Sequence, residues 1–141
     1  MNVQLKSITP GEAWKIIDKD DTSRFTEEEM NKFHRCVAAS TKLEALFIDK
    51  KFIAMYGLMP PILLADYAVL WLHWTEAVKD HEFIFVRRSQ IAVKNMLKSY
   101  NRICGFCEVG ADRSIRWLKW LGATFDEPNE RMMLPFTIRS K

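Results

Sequence analysis

His73 and Glu76 stand three residues apart at the end of an apolar run, where an imidazole or a carboxylate would take a proton from an ammonium group. His81 and Glu108 offer the same chemistry with less positional support. Each has a plainer reading: His73 as a half-buried strand residue with one hydrogen-bond partner, Glu76 as a first-turn carboxylate favoured by a helix dipole after Thr75. Arg87 and Arg88 place two guanidinium groups side by side, immediately before Ser89, which has the side chain of a helix cap. Guanidinium groups grip phosphate oxygens in pairs, and the free N–H groups of a helix start attract the same anions. Arg87, Arg88, Ser89, Gln90, Ile91 and Ala92 are therefore a candidate anion site, against the alternative of a solvated basic pair. Arg113, Arg116 and Lys119 recur at three-residue spacing, as a solvated basic face does. Cys104 and Cys107 form a C-x-x-C in an apolar run, but Cys36 is the one further cysteine, so buried thiols are expected rather than zinc. Trp71, Trp74, Trp117 and Trp120 are core or interface material, and some of them are expected at the surface for a protein partner.

The elements that must position these residues follow from periodicity and caps. Residues 3–8 alternate as a strand, and Thr9-Pro10-Gly11-Glu12 is a capping box with proline at the first helical position. The helix after it turns Ala13, Ile16 and Ile17 inward and ends in the charged residues 18–23. A second capping box, Thr26 with Glu29, opens a helix with Met30, Phe33 and Val37 on one face. Apolar runs at 43–48 and 52–58, with Asp49-Lys50-Lys51 between them, predict a hairpin, and 68–74 predicts a third strand after a proline loop. Ser89 is placed to cap a helix carrying Val93, Met96, Leu97 and Tyr100. Residues 103–109 read as a buried strand. Asp112 is placed to cap a helix with Ile115, Leu118 and Leu121 inward, stopped by Gly122. A hairpin of 124–125 with 132–138 closes the chain, giving the order β-α-α-β-β-β-α-β-α-β-β.

One domain over residues 1–141 is expected from the length, and a composition 48% hydrophobic and 28% charged gives it a real core. The net charge of +3, from 21 basic and 18 acidic residues, does not call for nucleic acid, so any basic site must be local. The first ten residues lack a secretory pattern, which predicts an intracellular, cytoplasmic protein. Residues 52–74 are apolar enough to raise a membrane span, but Gly57, Pro60, Pro61 and Asp66 interrupt them, and no membrane partner is expected.

The element order, together with Ser114-Ile115-Arg116-Trp117-Leu118-Lys119-Trp120-Leu121-Gly122-Ala123, resembles the GNAT superfamily of N-acetyltransferases. The aromatic-rich form of this helix, with Arg87-Arg88-Ser89-Gln90 before it, looks most like the small GNAT-like proteins of tailed bacteriophages, some described as internal virion proteins. The resemblance implies an α/β fold whose central sheet is mixed, mostly antiparallel and splayed, with flanking helices. It also implies acetyl-CoA as co-substrate and an amine acceptor, with backbone N–H groups around Leu72 and Trp74 polarising the thioester carbonyl. Residues 87–92 lie on the family's phosphate-binding segment, with Gln90 where its first glycine stands. Leu118 takes the place of the family's frequent tyrosine acid, and Ala111 that of an asparagine. Two readings follow: an acetyl-CoA-dependent N-acetyltransferase using His73 or Glu76 as base, or a degenerate GNAT-like phage assembly or virion protein that binds phage or host proteins. A nucleic-acid module ranks third.

Overall fold

The computed structural model describes residues 1–19, 25–62 and 64–140. Its strands are β1 (Val3–Ser7), β2 (Lys42–Ile48), β3 (Lys51–Met59), β4 (Tyr67–Trp74), β5 (Arg102–Glu108), β6 (Thr124–Phe125) and β7 (Met133–Arg139). The helices are α1 (Pro10–Lys19), α2 (Glu27–Ala39), α3 (Glu82–Ser99) and α4 (Asp112–Trp120), with a 3₁₀ helix at Glu76–His81. The strands form one seven-stranded sheet in the order β1-β2-β3-β4-β5-β7-β6. It is an α/β fold with a mostly antiparallel sheet, in which β4 and β5 pair in parallel. The expected element order is observed, with the 3₁₀ helix added before α3. No described helix is long and apolar enough to cross a membrane, and residues 52–74 form two strands and their connection.

Two compact units divide the chain. The first comprises Met1–Met59 and Trp71–Asp80, the second Pro60–Leu70 and His81–Lys141.

In the first unit, both capping boxes form. Thr9 Oγ1 accepts from the Glu12 N–H at 3.1 Å while Glu12 Oε1 accepts from the Thr9 N–H at 3.1 Å, and Thr26 and Glu29 repeat the exchange at 3.0 and 3.2 Å. Each satisfies two orphan donors of a helix start. The caps fix the entry of α1 and α2, whose Ala13, Ile17 and Val37 bury with Leu43 and Met55 in one cluster. The expected end of α1 in the loop 18–23 falls partly outside the described residues, since residues 20–23 lie there. The β2–β3 turn has two residues, Asp49 (φ 51) and Lys50 (φ 69), both left-handed as a tight hairpin requires. Lys51, expected in that turn, pairs with Ile48 instead.

Gly57 sets how closely this unit packs. A Cβ there would overlap both the Trp71 indole and Ser40 Oγ. The space it leaves lets Trp71 Nε1 donate to Ser40 Oγ at 2.6 Å, and Ser40 Oγ donate to the Cys36 carbonyl at 2.7 Å. That relay ties β4 to the last turn of α2 and satisfies an indole N–H that burial would otherwise strand. Nearby, the Tyr56 hydroxyl donates to the Glu44 carboxylate, whose Oε1 also lies 3.4 Å from Lys42 Nζ. Burial first, and then the bond and charge of Glu44, push the Tyr56 phenol far above its usual value of 10.0.

In the second unit, β5 pairs with β7 along its whole length, and β6 pairs with β7 through Thr124 and Phe125. Cys107, Leu118 and Phe136 bury together, with Ile115 and Trp117 packed against them. Gly122 (φ 97) ends α4 in the left-handed region, as expected. Asp112 is not the cap of α4: the cap position is Ala111, without a side-chain bond, and Asp112 is the first helical residue. There its carboxylate still favours the helix dipole, which is why the two placements look alike in sequence.

Gly57→Ala is expected to destabilise the protein by about 1–3 kcal/mol through overpacking, read as a lower urea midpoint with an unchanged slope. A phenol whose proton is held more tightly in the folded state leaves stability intact below about pH 10, and stability falls as pH rises beyond it. Between pH 8 and 11 the stability advantage of the native protein over Tyr56→Phe should therefore shrink, at up to about 1.4 kcal/mol per pH unit above pH 10. A constant gap in urea titrations across that range would refute the raised value.

Candidate functional site

His73 lies on β4 two residues from Trp71, and the two-residue period of a strand puts both side chains on one face. Trp71 packs against the α1–α2 core cluster, and the His73 ring meets three phenyl rings from that side of the first unit. Phe52 stacks on it at 6.2 Å and 11°, Phe25 is tilted against it at 5.5 Å, and Phe33 meets it edge-on at 5.9 Å. Phe33 in turn meets Trp71 edge-on at 5.4 Å. A half-buried imidazole packed among three aromatic rings is held in orientation.

Leu72 and Trp74 alternate with these residues along β4, Leu72 half-buried and Trp74 exposed. The ladder of β4 with β5 has three pairs, Tyr67 with Arg102, Ala68 with Ile103 and Val69 with Cys104, so Leu72 and Trp74 lie beyond its end. The strand ends at Thr75, which is buried; its N–H donates to the Ile53 carbonyl at 2.9 Å and its hydroxyl to the same oxygen at 3.0 Å. Glu76 is the first residue of the 3₁₀ helix, and its carboxylate pairs with Lys79 at 2.7 Å. Both side chains are well exposed, so the pair adds little stability.

The helix start expected at residues 87–92 is corrected. The helix starts at Glu82, with His81 in the cap position and no side-chain cap bond, so Arg87 is its sixth residue and residues 87–92 are interior. Their backbone N–H groups are committed within the helix and are not free for a phosphate. Ser89 is not a cap. Its hydroxyl donates to the Val86 carbonyl at 2.7 Å and accepts from Trp117 Nε1 at 2.9 Å, bonding back along the helix as an interior serine does. The helix start itself carries Glu82, a first-turn carboxylate that pairs with Arg113. What remains of the expected site is two exposed guanidinium groups, that of Arg87 lying 5.7 Å over the Phe83 ring, with Gln90 and Ile91 exposed and Ala92 buried.

Leu118, at the position aligned with a tyrosine acid, is core, packed with Cys107 and Phe136. Glu108 is exposed at the end of β5. The three cysteines are free, and burial before any other cause raises the thiols of Cys36 and Cys107. Among the described residues no group of three His, Cys, Asp or Glu side chains is arranged to hold a metal. Trp71 and Trp117 are bonded inside their units, whereas Trp120 and Trp74 are exposed. The rings around His73 are absent from the sequence-based site: Phe33 and Phe52 read there only as helix and strand apolar positions, and Phe25 carried no signal.

No family model and no curated protein matches the sequence. Solved structures do match the fold. A chimera of the Vibrio cholerae spermidine N-acetyltransferase SpeG with hSSAT superposes with a TM-score of 0.72 at 12% identity, covering 99% of this chain and 96% of that one. The GNAT domain of S. lividans PAT gives 0.64 at 14% identity, covering 98% and 90%. The Campylobacter jejuni N-acetyltransferase PseH gives 0.57 at 13% identity, covering 99% of each chain. Across almost its full length, the chain has the fold of the GNAT acetyltransferases.

Proposed function

We propose that the chain, acting as one domain over residues 1–141, is an N-acetyltransferase that moves an acetyl group from acetyl-CoA to an amine. The observation that carries this reading is the fold, matched over nearly the whole chain by acetyltransferases. The position of His73 at the end of β4, among three aromatic rings, supports it further.

In this mechanism acetyl-CoA supplies an activated thioester. His73 takes a proton from the acceptor ammonium, and the neutral amine attacks the carbonyl carbon; the C–S bond breaks and the coenzyme leaves as a thiol. The backbone N–H groups around Leu72 and Trp74 are assigned to polarising the carbonyl oxygen. Arg87 and Arg88 hold the coenzyme phosphates by their guanidinium groups, without the helix-start N–H groups and with Ser89, Gln90, Ile91 and Ala92 as the surrounding helix surface. Glu76 is the second base, released from Lys79 when it acts. Leu118 offers no proton for the leaving sulfur, so water supplies it. The reaction belongs inside the cell, where the coenzyme is.

The buried Leu118 and the exposed Trp74 and Trp120 favour a second reading. In it the chain is a degenerate scaffold used in bacteriophage assembly or in the virion, contacting phage or host proteins through exposed aromatic side chains.

Calorimetric titration with acetyl-CoA separates the two. The first reading expects micromolar binding, about −8 kcal/mol, lost in the Arg87→Ala/Arg88→Ala double variant. No heat up to millimolar coenzyme would leave the scaffold. With an amine acceptor found by screening, His73→Gln should lower the turnover number by about 10²–10⁴-fold while coenzyme affinity is kept; unchanged turnover assigns the base elsewhere.

A further inference from the structure

We infer that the outer face of α3 is a binding surface for single-stranded nucleic acid. Net charge is unevenly divided between the two units: the second holds 11 basic and 7 acidic residues, the first 10 and 11. The excess of the second unit is concentrated on one helix. Between Glu82 and Glu108 the sequence has no carboxylate side chain, and α3 carries Arg87, Arg88, Lys94 and Lys98, all exposed. At 3.6 residues per turn, Phe83, Arg87, Ile91, Lys94 and Lys98 share an arc of about 100°, with Arg88 beside it. The cations from Arg87 to Lys98 span about 16 Å of helix axis at 1.5 Å per residue. Arg102, the other cation of this stretch, is taken up elsewhere, its guanidinium 4.5 Å from the centre of the Tyr67 ring.

The apolar residues on this face select among polyanions. Phe83 is 73% exposed and Ile91 50% exposed. A membrane surface requires a full apolar helix face, but the apolar side of α3, with Ala92, Val93 and Met96, is buried in the protein. A duplex keeps its bases stacked and offers no open base face, leaving Phe83 without a stacking partner. A single strand uses both kinds of group: its phosphates meet the cations, and an unpaired base stacks on the Phe83 ring, whose other face is already paired with Arg87.

The test is anisotropy of fluorescein-labelled oligo(dT) of twenty nucleotides between 50 and 200 mM NaCl. Four cations predict a log–log salt slope of about −3 for a single strand, and Lys94→Gln/Lys98→Gln should bring it to about −1.4. Phe83→Ala should weaken binding about tenfold with the slope unchanged. No binding at 50 mM salt, a slope that the lysine variant does not change, tighter binding of a duplex of equal length, or displacement by phosphatidylserine vesicles or polyglutamate at equal charge would each overturn the inference. The same lysine variant titrated with acetyl-CoA keeps this result apart from the acetyltransferase reading, because neither lysine is assigned to the coenzyme.

Discussion

The close approach at Gly57 is the constraint on which the first unit depends. Only hydrogen fits between β3 and the Trp71 indole, and the indole N–H reaches Ser40, which reaches the end of α2. This relay fixes β4 laterally, and His73, two residues on, inherits its position. The imidazole is then surrounded by Phe25, Phe33 and Phe52, so its orientation depends on packing that starts with the absence of one methyl group. A candidate base placed this way is held by a rigid strand and by tightly packed rings, the kind of support that proton transfer between oriented groups needs.

A second relay organises the second unit. Trp117 donates to Ser89, Ser89 donates to Val86, and Phe85 lies 5.5 Å from the Trp117 ring. Glu82 and Arg113 add an ion pair, so α3 residues 82, 85 and 89 face α4 residues 113 and 117 along successive turns. These contacts commit the early part of α3 to its neighbour. The anion-attracting end of that helix is met by a carboxylate of its own, Glu82.

Leu118, the residue that the resemblance sets in a proton donor's place, packs into a cluster with Cys107 and Phe136. A scaffold can keep its architecture through core packing while the groups that do chemistry change, because packing constrains volume and the reaction constrains protons.

Much of the architecture was legible in the sequence: both capping boxes, the β2–β3 hairpin, the order of elements and the stop at Gly122 all rest on local patterns that act over a few residues. His73 was legible as a candidate but its surroundings were not, since Phe25, Phe33 and Phe52 are brought to it by the fold from three separate segments. The start of α3 was misread for a related reason. Serine has the side chain of a cap and also bonds back inside a helix, and which it does depends on a partner; Trp117, 28 residues away, supplies that partner. Sequence by itself determined where elements begin when the signal was a reciprocal local bond. Tertiary structure decided the rest, because hydrogen bonds and ring contacts between distant segments leave no periodicity along the chain.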